Sequence, residues 1–129
     1  MNIEDIQKKI AKMQFQIRTL GETVDHLQHP IESLILSMDW NEEDIDLAQD
    51  IFERYDTDLQ AGKPVNWHAF EKELEHAFKI GYQTVKSIIL AFWRNHQWTD
   101  VCHGYAMSFE PSTPVEFHQI TRQTENQKS

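Results

Sequence analysis

Cysteine, glycine and proline are all scarce in this chain of 129 residues, which has one cysteine, four glycines and four prolines. The single cysteine, Cys102, has no second thiol with which to form an internal disulfide, and this fits a reducing compartment. So few glycines and prolines argue against a loop-rich β-sandwich and leave long stretches free to form helices. The composition therefore predicts an all-α protein.

Long apolar runs and excess positive charge are missing as well. The longest apolar run is Ile88–Trp93, far below the ~20 residues that cross a bilayer, and the first residues lack the pattern of a secretion signal. Twelve basic against 21 acidic side chains give a net charge of −9. Because nucleic acids and anionic membranes attract clustered Lys and Arg, we expect a cytoplasmic protein that contacts neither directly.

A heptad of apolar residues marks the N-terminal segment. Its members follow one another at alternating spacings of three and four: Ile3, Ile6, Ile10, Met13, Ile17, Leu20, Val24 and Leu27. Such a narrow stripe is typical of coiled coils, whereas a helix on a globular core has a broader apolar face. β-branched residues at the first core position favour a coiled coil of two helices, while Ile3 with Ile6 favours one of three helices. We expect residues 1–29 to join a homo-oligomer, dimer or trimer. Packing of this helix on the rest of its own chain is the alternative.

A compact body of about five short helices is predicted to follow, over residues 30–109. Apolar spacing places these helices at residues 30–38, 42–60, 67–79, 83–95 and 99–108. Asn41 and Asn66 are predicted helix N-caps, and Gly62 and Gly81 mark helix ends. No internal repeat is visible. Residues 110–129 have a polar composition and are predicted to form a mobile tail.

Negative charge is concentrated in the second helix of this body. Between Asp39 and Asp58 nine carboxylates stand against a single Arg54, a net of −8. The candidate partner-binding residues are Glu42, Glu43, Asp46, Asp50 and Glu53. This face is interpreted as a docking surface for a basic partner protein. Mimicry of nucleic acid, which would inhibit a nucleic-acid-binding protein, and a solubilising outer face are the alternatives.

Two groups of residues have spacings that suit a divalent metal ion. Glu22, His26 and His29 would lie along one face of a helix ending at Pro30, although a complete site needs a further ligand. Glu73 and His76 form a Glu-x-x-His pair, which di-iron bundles use twice together with two further glutamates. Polar residues at a helix end or on a solvated helix face are the preferred explanation of both groups, so we predict no bound cofactor and keep metal binding as an alternative function.

Sequence motifs of catalysis are missing from the chain, which has no Walker loop, nucleophile elbow or His-Glu-x-x-His. The sequence therefore indicates a non-enzymatic, oligomeric protein-interaction module.

A pattern of turns and helix starts runs from Thr23 to about Ala106. It consists of Thr23-Val24-Asp25, Pro30 before Ile31-x-x-Leu34-Ile35, Glu42-Glu43, the Gly62 turn, the aromatic helix around Phe70, Thr84-x-x-x-Ile88-x-x-Ala91-Phe92 and Gln97-Trp98. In this layout the chain resembles the YhaI-like family of small helical proteins from Gram-positive bacteria. The resemblance implies a multihelical, oligomeric, cytoplasmic bacterial protein. It implies no activity and no catalytic residues.

Overall fold

The computed structural model describes residues 2–122 as seven α-helices and a short 3₁₀ helix, with no β-strand in that range. The α-helices are α1 (Ile3–Gly21), α2 (Pro30–Met38), α3 (Glu42–Gln60), α4 (Trp67–Phe78), α5 (Tyr82–Arg94), α6 (Thr99–Met107) and α7 (His118–Thr121), and the 3₁₀ helix Val115–Phe117 precedes α7. The all-α prediction is confirmed, and α2 to α6 lie within a residue of their predicted bounds. Over these same residues, no helix is long and apolar enough to cross a membrane.

Short polar side chains begin two of the helices at the predicted positions. Asn41 accepts a hydrogen bond from the backbone N–H of Asp44, whose carboxylate accepts one from the N–H of Asn41, each 2.9 Å long. Asn66 accepts from the N–H of Ala69 at 3.0 Å. These bonds satisfy amide groups that a helix start leaves without partners.

The first helix is shorter than predicted and ends at Gly21. Beyond it, the hydroxyl of Thr23 donates to the carbonyl of Leu20 at 2.7 Å, and the carboxylate of Asp25 accepts from the N–H of Leu27 at 2.8 Å. Side chains of these types compete with the helix for backbone partners, and Gly21 is itself a poor helix former. The predicted helix end at residue 29 is therefore wrong, and the helix ends at residue 21.

Two similar helical hairpins, α2–α3 and α4–α5, form the body and are offset by 40 residues. Asp39 and Lys79, at equivalent positions, both end a helix in the left-handed conformation with φ 55°. The N–H groups of Trp40 and Ile80, which follow them, bond to carbonyls five residues back at 3.0 Å. The equality of these turns shows an internal repeat of the backbone.

The packing of the two hairpins follows the same relation. Helix α2 contacts α5 and α4 contacts α3, which is the exchange expected of an approximate twofold axis. Phe52 and Phe92, which are equivalent, meet with ring centroids 4.6 Å apart. Only three aligned pairs between residues 30–60 and 70–100 are identical: Leu34 with Leu74, Phe52 with Phe92, and Arg54 with Arg94. The repeat is not visible in the sequence, because it lies in backbone and burial more than in residue identity.

Helix α6 and the C-terminal segment close the core. The ring of Tyr105 contacts Phe70 and Phe117, with centroids 5.5 and 5.9 Å apart. Phe117 and Ile120 are fully buried, so the predicted mobile tail is corrected for residues 115–121, where aromatic and aliphatic side chains are buried with the core. Residues 123–129 of that tail lie outside the described residues.

Candidate functional site

Helix α1 presents the predicted seam to solvent. None of its residues is buried, and six seam side chains between Ile3 and Leu20 are 43 to 73% exposed. Those six are Ile3, Ile6, Ile10, Met13, Ile17 and Leu20. A soluble monomer rarely leaves so continuous an apolar stripe uncovered. The structure therefore shows a helix whose apolar face is largely exposed on its own chain.

The last two predicted seam residues are placed differently. Because the helix ends at Gly21, Val24 and Leu27 lie in the following turns, where Val24 is half-buried and Leu27 is exposed. The α1 seam, as the six residues from Ile3 to Leu20 are called below, is about 26 Å long at 1.5 Å per residue. Contact with the body occurs near its C-terminal end, where a Cδ atom of Leu36 lies 3.4 Å from the Cβ position of Gly21.

The second predicted surface, the acidic face of α3, lies on the outside of the body. Its five predicted partner-binding carboxylates, Glu42, Glu43, Asp46, Asp50 and Glu53, are all exposed. On the opposite side, Ala48, Ile51 and Phe52 are buried in the core. The amphipathic pattern of the helix thus sets the direction of these charges, and the three carboxylates of its first turn also suit the helix dipole.

Ion pairs with α3 occur toward the C-terminal end of that helix. Arg54 pairs with Glu73 of α4, and Lys63 lies 3.8 Å from Asp58. The hydroxyl of Tyr55 also donates to Glu73, at 3.2 Å. Hydrogen bonding to Glu73 raises the pKa of Arg54, and burial raises the pKa of Tyr55. Within residues 2–122, no ion pair neutralises the first turns of α3, so that end of the helix is the more electronegative.

The first metal candidate does not have the predicted geometry. Glu22, His26 and His29 lie beyond the end of α1, in turns, so they do not share a helix face. In the described part of the chain, no three His, Cys, Asp or Glu residues are close enough to hold a metal ion. The predicted alignment of these three residues on one helix face is therefore wrong, because α1 ends at Gly21, before the first of them.

The second metal candidate and the thiol serve structural contacts. Glu73 accepts hydrogen bonds from Arg54 and Tyr55, while His76 is exposed on the same helix. Cys102 is fully buried, with its sulfur 3.5 Å from the carbonyl of Ile89, and burial raises its pKa. A protonated, buried thiol is unreactive as a nucleophile.

A small cleft between α2 and α5, with polar and apolar walls, was not predicted from the sequence. Arg94 reaches it from α5, and Ser33 and Ser37 line it from α2. The signal that could have found it is the 40-residue offset, because Arg94 repeats Arg54. Without that alignment, serines and a single arginine form no motif.

Comparison with known proteins adds no relative, since the chain matches no family model, no curated protein and no solved structure. The resemblance to the YhaI-like family stays a prediction.

Proposed function

We propose that this chain is a non-enzymatic, homo-oligomeric protein-interaction module whose subunits are joined through the α1 seam. The observation that carries the proposal is the exposure of all six seam residues on a helix with no buried residue. Heptad spacing is what allows two such helices to wrap around each other. The resemblance to small bacterial proteins extends the proposal to a bacterial, cytoplasmic module of the YhaI-like type.

The strength of this association can be estimated from the seam. Full burial of each partly exposed side chain contributes roughly 1 to 2 kcal/mol, so six contribute on the order of 10 kcal/mol per subunit. Association costs about 4 to 15 kcal/mol in lost motion. Because the seam covers fewer than three heptads, we expect a dimer or trimer with dissociation constants in roughly the micromolar range.

Sedimentation of the full chain over a range of concentrations tests the oligomer. Replacement of Ile10 and Ile17 by Asp should leave a folded monomer, because neither side chain is buried in the body. Phe15→Asp is the matched control: Phe15 is 60% exposed on the same helix but lies outside the heptad seam. A full chain that is monomeric at about 100 times the expected dissociation constant, or a control that dissociates equally, contradicts the proposal.

The acidic face of α3 is the proposed docking surface for a basic protein. Exposure of its five carboxylates, together with the distance of the ion pairs from its first turns, supports this assignment. In an oligomer the face is present once per subunit, so a partner with several basic patches gains avidity. Mimicry of nucleic acid is the more specific form of the same proposal.

Charge reversal at Glu42, Asp46 and Asp50 tests the docking surface. Capture of a basic partner from cell extract should disappear with the Lys variants and should weaken with salt in the wild type. Neutral variants, such as Asp50→Asn, should reduce capture by a smaller amount. Partner binding that survives all three reversals contradicts the proposal. If the partner also binds nucleic acid, competition between that nucleic acid and this chain for the partner distinguishes mimicry from simple docking.

A further inference from the structure

Arg94 of α5 lines a cleft between α2 and α5. Its guanidinium forms no ion pair with a carboxylate among residues 2–122. The cleft has a volume of about 150 Å³ and is lined by Arg94, by three serines (Ser33, Ser37 and Ser87), by His26 and by four apolar residues of α2 and α5. The Nε atom of Arg94 is shielded from solvent and has no hydrogen-bond partner in the described part of the chain. Buried polar atoms of this kind are rare in folded proteins.

The internal repeat shows what an arginine at this position holds. Arg54, its equivalent in α3, pairs with the carboxylate of Glu73 in α4. At the 40-residue offset, the position equivalent to Glu73 is Ser33, which lines the Arg94 cleft. One half of the protein thus supplies its own carboxylate to the arginine, and the other half has a serine where that carboxylate would be.

We infer that the Arg94 cleft is a binding site for a small oxyanion, either a phosphate or a carboxylate group of a small molecule. Guanidinium groups bind both in charge-assisted, often bidentate geometry, and hydroxyls of Ser33 and Ser87 add neutral donors. The N-terminal turn of α2, where Pro30 and Ser33 line the cleft, contributes the positive end of a helix dipole, while the C-terminal turn of α5, from which Ala91 and Arg94 line it, contributes a negative end. The guanidinium of Arg94 therefore supplies most of the attraction for an anion.

The size of the cleft limits the ligand. At ~30 Å³ per water molecule, its 150 Å³ corresponds to about five waters, which is room for one tetrahedral or planar oxyanion with a small substituent. A whole nucleotide does not fit within it. The acidic face of α3 does not contribute to the lining, so the site is independent of the proposed docking surface.

Titration of the full chain with inorganic phosphate, and separately with acetate, tests the site by backbone amide shifts at constant ionic strength. We expect saturable shifts in the first turn of α2 and around Arg94. Arg94→Gln should weaken binding by about tenfold or more. Arg54→Gln is the matched control, since its guanidinium already pairs with Glu73, and should leave binding unchanged. The relative affinities for phosphate and acetate decide which group is the natural ligand.

A second variant does not depend on removal of the arginine. Ser33→Glu places a carboxylate at the position equivalent to Glu73, where we expect it to pair with Arg94, prevent phosphate and acetate binding and raise the melting temperature. Ser33→Gln has a similar size and no charge, and should raise it less. Anion binding that persists in Ser33→Glu, or wild-type shifts that never saturate with either anion, overturns the inference.

Discussion

The burial of Phe117 leads to a prediction about a segment whose composition is otherwise polar. Its side chain is fully buried, with ring centroids 5.9 Å from Tyr105 and 6.0 Å from Phe109. Substitution of Phe117 by Ala removes these contacts and leaves a cavity beside α6. We expect the variant to fold and to be markedly less stable than the wild type.

The magnitude follows from the area of the ring. A fully buried Phe hides about 200 Å², and at about 25 cal/mol per Å² this is about 5 kcal/mol. The true loss is smaller, because the unfolded chain already hides part of this area. Measured Phe→Ala substitutions in cores cost about 3 to 5 kcal/mol. We therefore expect the free energy of unfolding to fall by about 3 kcal/mol. A larger loss is not expected, because the short segment can detach from the core before the whole protein unfolds.

Urea unfolding is the assay for this prediction. With a slope of about 1.5 kcal/mol per molar, a loss of about 3 kcal/mol lowers the midpoint by about 2 M. The control is Val115→Ala, two residues earlier in the same 3₁₀ helix, where the side chain is 73% exposed and the expected change is within about 0.5 kcal/mol. Equal midpoints for the Phe117 variant and the control would refute the assignment of this segment to the core.

Three further predictions concern a close contact, a helix cap and a salt bridge. In Gly104→Ala, the new Cβ would overlap the indole ring of Trp67, so we expect the free energy of unfolding to fall by about 1 to 3 kcal/mol, measured by thermal or urea unfolding. In Asn41→Ala, loss of the capping box at α3 should cost about 1 kcal/mol by the same measurement. The pKa of Glu116 is lowered by hydrogen bonding to its own backbone and by Lys86. Its stabilisation is therefore present above the ordinary pKa of 4.5 and lost as pH falls through the lower, folded value. The melting temperature of Glu116→Gln should be lower than that of the wild type near about pH 7, and the two should be equal near about pH 2.

Each of these has a control within the chain. The penalty of Gly104→Ala should shrink in a Trp67→Leu background, and an equal penalty in both backgrounds would contradict the close contact. For the cap, Asn41→Asp keeps the accepting oxygen and should retain most of the stability. For the salt bridge, Lys86→Met should reduce the pH dependence contributed by Glu116, and an unchanged profile would show that Lys86 is not its partner.

The helices of the body could be predicted from the sequence because their signals are local. Asn41 and Asn66 bond to amides three residues later, and Pro30 begins a helix where its missing N–H costs nothing. The acidic face of α3 was predictable for the same reason, since the helical period alone sets which side chains share a face. The end of α1 was not, because the apolar heptad continues past Gly21 while the hydroxyl of Thr23 and the carboxylate of Asp25 bond to the backbone instead.

Everything that joins distant parts of the chain was decided by the tertiary structure. Phe117 and Ile120 lie in a polar stretch, and only the space left beside α6 makes them core residues. The repeat of the two hairpins is carried by equal turns and similar burial, with few identical side chains, so it became visible only when Asp39 and Lys79 were seen to share one conformation. The Arg94 cleft was recognised through that repeat, because an arginine alone in a sequence predicts no site. Ser33 lines this cleft at the position equivalent to Glu73, which pairs with Arg54 in the other half. Local hydrogen bonding and periodicity act within a few residues and can be read along the chain, whereas packing brings together residues whose separation no local pattern encodes.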